Sequence, residues 1–291
     1  MRSLAAALQE LSFDPLHARV LGDRGPAEVD ELAGWLAAGD PYRENRRIGQ
    51  ALAAVGGDSG PDAVRRVLAH QLWCAWRQAR WTAGAARPLP TTQVVGAEWL
   101  AETAGHPTVL VSPLTVPAPD ALHAVAEVFG DRPLVAFGED TSSAELPAGV
   151  RVPVVSEGSG ALRRILATLA DGGVLCTYPD FVYPGRGVEP VTLFGRRRPI
   201  SAGFVSLAAR PGTMLLPAVL HRRGDRLVLR LEEPLLVGDR PADRASARAG
   251  LRQVLADVLA ALISRAPEQW LLLPTLTFDS PQLAPLPAAG R

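Results

Sequence analysis

Apolar residues recur at two different spacings along this chain, and the change from one to the other near residue 93 divides it. Before that point the spacing is helical. Residues 3–11 and 26–38 are Ala- and Leu-rich amphipathic segments separated by a turn region at 22–25. Ser59-Gly60-Pro61 is a start signal for a long helix over 62–81, in which Val64, Leu68, Leu72, Trp76 and Ala79 fall on one face. Trp73, Trp76 and Trp81, with Arg77 and Arg80, read as core packing in preference to an amphipathic rim against lipid or acyl chain. The first two segments read as a helical cap on the core rather than as a surface-docking element.

From residue 93 the pattern alternates between strand and helix. Residues 108–112 and 134–137 are strands, 120–129 a helix, and 150–155 a strand that Pro153 confines to a sheet edge or a bulge. A helix follows at 161–170, with Leu162, Ile165, Leu166 and Leu169 directed inward. Strands alternating with helices predict an α/β fold with a mostly parallel central sheet flanked by helices. Residues 226–231 continue the strand series. Residues 243–265 form a long helix with Leu251, Val254, Leu255, Val258 and Leu262 at helical spacing, and the Pro/Ala-rich 281–291 is predicted to be disordered. The whole is expected to be one domain: a helical region over 1–90 packed on an α/β core over 91–280.

Chemistry is expected in the stretch 172–222, where strand-like runs are separated by loops rich in Gly, Pro and Arg. The run 174–178 ends in Pro179 and Asp180, and the next loop carries Tyr183, Gly185, Arg186 and Gly187 before a strand at 188–194. A carboxylate and an arginine are thereby set at a strand end, where α/β folds place sites. Arg196, Arg197 and Arg198 follow Gly195, and Ser201 is placed to cap a short helix over 202–209, so backbone N–H groups and guanidinium groups would converge on an anion. The competing reading of the triplet is a solvated charge run.

Composition narrows the chemistry. Acidic and basic residues balance at 30 each, which argues against a general binder of DNA. All of the basic residues are arginine, so lysine Schiff-base and lysine general-base mechanisms are excluded. Cys74 and Cys176 lie in apolar surroundings without metal-ligand spacing, and read as buried thiols in a reducing compartment. No metal or cofactor is expected. No run reaches the roughly 18–20 apolar residues that span a bilayer, and the N-terminus lacks a signal pattern, so a cytoplasmic protein is expected, with peripheral membrane contact left open.

The order strand, Pro179-Asp180, Gly-containing loop, Val191-Thr192-Leu193-Phe194-Gly195, then Leu207-Ala208 with Arg210, then a strand reading LLPAVLHR, resembles the lipid A biosynthesis acyltransferases and their relatives that acylate phosphatidylinositol mannosides. A second matching segment is Ala266-Pro267-Glu268-Gln269-Trp270. The resemblance covers about residues 160–275, with weaker similarity back to RENRRIGQAL at 43–52. It implies a lysophospholipid-acyltransferase-like core and a histidine followed five positions later by an acid, just after the first core strand. There the carboxylate orients the imidazole, which takes the acceptor's proton. Counting back five from Asp120 gives Thr115, so the acid is retained and the base is not.

Three explanations compete. Substrate positioning does the work for an acceptor that is already nucleophilic, such as an amine, hydroxylamine or hydrazine. Alternatively another histidine (His123, His106 or His221) supplies the base, or the chain is a catalytically inactive protein that binds an acyl-carrier or lipid partner. The segment 134–149 carries Glu139 and Asp140 where the resemblance implies basic residues, which favours a small acceptor without phosphate over a glycolipid at the membrane surface. The leading expectation is a divergent bacterial acyltransferase of specialised metabolism, moving an acyl group from acyl-CoA, acyl-carrier protein or aminoacyl-tRNA to a small amine or hydroxyl. Thr115, Asp120 and Asp180 would form its reacting centre, Arg186 and Ser201 would shape the pocket, and Arg196, Arg197 and Arg198 would hold the donor's phosphates.

Overall fold

The computed structural model describes residues 3–85, 92–138, 152–155, 160–181, 188–201, 203–236 and 244–276, with side chains from 249 onward in the last of these. Arg186, the pair Glu139 and Asp140, and the segment 281–291 lie outside the described residues.

The first third of the chain is helical: α1 (Leu4–Phe13), α2 (Pro15–Gly22), α3 (Pro26–Gly39), α4 (Asn45–Ala54) and α5 (Pro61–Thr82). The helix α2 lies between the two segments read from the sequence and ends at Gly22, where the turn region begins. It starts on a strong local signal, because the Asp14 carboxylate accepts hydrogen bonds of 3.0 Å from the N–H groups of both Leu16 and His17, and Pro15 stands at the first helical position. The long α5 is the axis of this region, since α1, α2, α3 and α4 all pack against it. The predicted face of α5 is buried, and so are His70, Trp73, Cys74 and Arg77 on its other faces. A helix buried on most of its surface fits a core element.

The remainder alternates as expected: β1 (Gln93–Val95), α6 (Glu98–Glu102), β2 (Thr108–Val111), α7 (Ala118–Phe129), β3 (Leu134–Phe137), β4 (Val154–Val155), α8 (Ala161–Ala170), β5 (Val174–Thr177), β6 (Val188–Leu193), β7 (Arg196–Ser201), α9 (Val205–Ala208), β8 (Met214–Arg223), β9 (Arg226–Leu231), β10 (Leu235–Leu236) and α10 (Arg244–Ile263). The main sheet runs β1-β9-β8-β2-β5-β3-β4, with β10 on β8, and its centre is parallel: β8, β2, β5, β3 and β4 share one direction. The chain therefore has the α/β architecture expected of it. The two-residue β4 is the terminal strand of that order, and Pro153 stands just before it. The long β8 changes neighbour along its length, pairing in parallel with β2 through Pro217 and antiparallel with β9 from Ala218. Pro217 has no N–H to donate, and sits where that change occurs.

Not every residue expected to face inward does so. On α8, Ile165 and Leu169 are buried but Leu162 is exposed, and on α10 Val254 is exposed while Leu255, Leu259 and Leu262 are buried. In each case the apolar stripe is narrower than the sequence suggests, which is the ordinary geometry of a helix lying on one sheet face. Among the described residues, no helix is long and apolar enough to cross a membrane.

Candidate functional site

The loops that leave the C-terminal ends of the central parallel strands meet at one edge of the sheet, the position where α/β folds hold ligands. The loop after β2 runs Ser112-Pro113-Leu114-Thr115 into α7, and the loop after β5 runs Tyr178-Pro179-Asp180. Asp180 joins them. Its Oδ2 accepts a 2.9 Å hydrogen bond from the Leu114 N–H and one of 2.7 Å from the Trp270 indole N–H. The segments Pro179-Asp180 and Ala266-to-Trp270, far apart in the chain, are thus in direct contact through that indole. Around them Leu271 N–H donates to the Leu114 carbonyl, and the Gln269 side chain brackets Arg222 by accepting from its N–H and donating to its carbonyl.

Burial and bonding limit what these groups can do. Asp180 is only 7% exposed, and burial pushes its carboxyl up to about 6, against the opposing pull of its bonds to Leu114 and Trp270. Its Oδ1 is buried without a hydrogen-bond partner among the described residues. Thr115 is 3% exposed, and its hydroxyl donates to the carbonyl of Leu220 in β8. Asp120 is 2% exposed on the first turn of α7, and its carboxylate is held by both forks of the Arg77 guanidinium, with Nε to Oδ2 at 2.9 Å, and by the Trp81 indole N–H at 3.1 Å. Bidentate geometry makes this a strong pair, and it leaves the carboxylate no free role. Thr115 and Asp180 are therefore brought together through Leu114, whereas Asp120 faces α5.

The imidazole that reaches Thr115 is His70 of α5, a residue that the sequence reading overlooks. Its Nε2 lies 2.6 Å from the Thr115 carbonyl oxygen and 3.4 Å from the Cys74 sulfur. Burial drives its pKa down to about 4, outweighing the Thr115 bond, so the ring is neutral at pH 7. His70, Cys74, Arg77 and Trp81 stand at i, i+4, i+7 and i+11, a polar seam on α5 that grips 115–120 of the neighbouring loop and helix. That spacing is readable in the sequence, but its partners lie about forty residues away. The histidines that the sequence offers as substitutes are elsewhere: His106 is exposed, His123 is half-buried on α7, and His221 is half-buried on β8. Both thiols are inert, since burial raises Cys74 well above its ordinary value and Cys176 to about 12.

The arginine triplet does not form one cluster. It lies in β7, the return strand of a hairpin with β6, closed by Phe194 and Gly195 with φ of 52° and 67°. Two successive positive φ values make a tight turn whose twist suits a hairpin. The pleat then sends Arg196 and Arg198 to the face shared with the buried Val191, Leu193 and Ile200, and Arg197 to the other. Burial and the field of Arg196 lower the Arg198 pKa, as expected for like charges on one face. Ser201 does not cap α9, whose N-cap is Phe204. Instead its N–H donates to the Pro179 carbonyl and its hydroxyl to that of Phe181, at 2.8 and 2.9 Å, so it braces the loop on both sides of Asp180.

Among the described residues no three His, Cys, Asp or Glu side chains gather to hold a metal ion. A shallow cavity of about 580 Å3, lined by Gly105, Phe129, Asp131, Arg132 and Asp171, opens at the opposite edge, at the N-terminal ends of β2, β3 and β5. It lies at the other end of these strands from Thr115 and Asp180. A scan of the chain against protein-family models finds no match, and a search of curated proteins finds none.

Proposed function

We propose that the chain transfers an acyl group from an activated donor (acyl-CoA, acyl-carrier protein or aminoacyl-tRNA) to a small acceptor whose nitrogen is nucleophilic without help, in the manner of a divergent lipid A acyltransferase-like enzyme of bacterial cytoplasmic specialised metabolism. The observation that carries this reading is the commitment of the Thr115 hydroxyl to the Leu220 carbonyl, with Asp120 bound to Arg77. Neither takes a proton from an acceptor, and His70 is neutral, buried and engaged. An alcohol attacks a thioester efficiently only as its proton is removed, whereas an unprotonated amine already carries its lone pair. In the transfer the nitrogen lone pair forms the C–N bond, and the bond from the acyl carbon to the donor breaks with its electrons to the leaving atom, sulfur in acyl-CoA or acyl-carrier protein and the ribose oxygen in aminoacyl-tRNA. The proton shed by nitrogen passes to water or to the departing thiolate or ribose oxygen. The protein's part is then orientation, which is worth several kcal/mol on its own, up to about 7–11. A glycolipid acceptor at a membrane surface offers a hydroxyl, and would need a base that none of Thr115, Asp120 and His70 supplies.

The burial of Thr115, Asp120 and Asp180, at 3%, 2% and 7% exposed, favours one further reading, a carrier-binding protein without turnover. A single assay separates the two. The purified protein is incubated with acyl-CoA, acyl-carrier and aminoacyl-tRNA donors, each with an alkylamine and with the alkanol of equal chain length, and the products are weighed by mass spectrometry. Amide without ester is the expected result. Ester at a comparable rate overturns the amine reading, and no product from any donor leaves the binding reading.

A further inference from the structure

We propose that Phe194 is a positioning residue of the acyl-transfer site: the turn of the β6–β7 hairpin holds its ring against Trp270, and that indole in turn fixes Asp180 and the loop after β2. The starting observation is a breach of local preference. Leu193 pairs with Arg196, so Phe194 and Gly195 are the two turn residues, at φ of 52° and 67°. A two-residue hairpin loop with both φ values positive favours Asn-Gly or Asp-Gly, and a bulky side chain at positive φ is a genuine outlier. Outliers of this kind persist where the surroundings hold them, and they gather at functional sites.

What phenylalanine supplies in exchange is its ring. The ring centroid lies 6.0 Å from that of Trp270 at an interplanar angle of 48°, within the range of attractive tilted aromatic pairs. Trp270 is 2% exposed, and its indole N–H donates to Asp180 Oδ2 at 2.7 Å, the oxygen that also accepts from the Leu114 N–H at 2.9 Å. The opposite end of the hairpin grips the same loop, since Ser201 bonds the carbonyls of Pro179 and Phe181 on the two sides of Asp180. The hairpin therefore reaches Asp180 twice, directly at its base and through Trp270 at its turn. An asparagine in place of Phe194 would suit the turn better and leave the indole without that neighbour.

The consequence for transfer rests on the acyl-transfer reading. Where orientation is the protein's whole contribution, a displaced loop costs turnover rather than acceptor binding. The carboxyl itself reports the link. Burial raises Asp180, and the groups that act against burial are the Leu114 N–H, the Trp270 indole, and the N–H groups of Asp180 and Phe181; among the described residues no charged side chain acts on it. Loss of the Trp270 donor therefore pushes this carboxyl further up, an effect that a purely structural role for Phe194 would not produce.

The test reads the indole by NMR. The Trp270 indole N–H signal of the full chain, assigned by its loss in Trp270→Phe, is followed against pH in the wild type, Phe194→Asn, Phe194→Gly and Phe194→Tyr. In the wild type it should titrate with Asp180, at about 6, and exchange slowly with solvent. Asparagine and glycine both accept the turn but delete the ring; there the signal should cease to follow Asp180 and exchange about tenfold faster or more, with wild-type behaviour rescued in Phe194→Tyr. In the transfer assay, kcat should fall about tenfold or more in the two ring-deleted variants with the acceptor KM unchanged. An indole that titrates and exchanges as in the wild type in either ring-deleted variant that folds overturns the proposal, as does equal disturbance in Phe194→Tyr, a released indole with unchanged kcat, or failure of both ring-deleted variants to fold. Absence of transfer in the wild type would defeat the acyl-transfer reading instead, and the indole signal would still decide whether Phe194 holds Trp270 on Asp180.

Discussion

Replacing Arg77 by methionine is expected to destabilise the protein by about 3–5 kcal/mol, because it strands the Asp120 carboxylate in the core. Arg77 and Asp120 are both almost wholly buried, and among the described residues the Trp81 indole is the one donor to the carboxylate besides Arg77. Restoring neutrality should recover most of the loss: in R77M/D120N the amide carbonyl introduced at position 120 still accepts from Trp81, and no charge is left unpaired. Urea unfolding of the two single variants and the double variant gives the coupling energy directly. A single-variant loss near 1 kcal/mol, with no recovery in the double, would mean that the pair is not the buried clamp described. The same cycle bears on function. A guanidinium from α5 occupies this acid, so under the proposed function a stable R77M/D120N should keep whatever transfer activity the wild type has.

Stability against pH should reveal two buried groups working in opposite directions. Asp180 is raised by burial from 3.8 to about 6, so the folded protein binds its proton more tightly than the unfolded chain, and this group loses stability as pH rises from 3.8 to 6. His70 is lowered by burial from 6.5 to about 4, so the unfolded chain binds its proton more tightly, and this group loses stability as pH falls from 6.5 to 4. Each effect is about 3 kcal/mol, and in the wild type they nearly cancel over the shared window. Removing either exposes the other. Relative to wild type, Asp180→Asn should be favoured by about 3 kcal/mol more at pH 7 than at pH 4, since an asparagine carbonyl still accepts from Leu114 and Trp270. His70→Gln should show the opposite trend, gaining about 3 kcal/mol on wild type as pH falls from 6.5 to 4. Parallel stability curves for all three proteins would contradict both assignments.

The secondary structure that is legible in the sequence is the part fixed by local periodicity. The span 161–170 of α8 and the span 134–137 of β3 agree at both ends, because each carries a complete apolar pattern bounded by turn residues. The helix α2 is hidden behind Gly22 and Gly25, although Asp14-Pro15 announces its start. The β6–β7 hairpin looks in sequence like a strand followed by a loop, because its turn uses a phenylalanine at positive φ where Asn or Asp is the familiar signal. Phe194 holds that conformation with its ring 6.0 Å from that of Trp270, a contact no local rule supplies.

The same division applies to the site. Strand ends point to Thr115 and Asp180, and these do meet through Leu114. The partners that decide their chemistry (Leu220 for Thr115, Arg77 for Asp120, Trp270 for Asp180) come from elements between 43 and 105 residues away. Residue type alone therefore suggests a reacting centre, and only the packing reveals how many of its polar groups are occupied in holding loops together.

The central claim, that no protein group takes the acceptor's proton, is tested most directly by the pH dependence of single-turnover transfer measured with two amine acceptors of well-separated pKa. The expected result is a rising limb that moves with the acceptor, tracking its unprotonated fraction, and that is unchanged in Asp180→Asn. A rising limb fixed at one pH for both acceptors would identify a titrating base on the protein and contradict the claim.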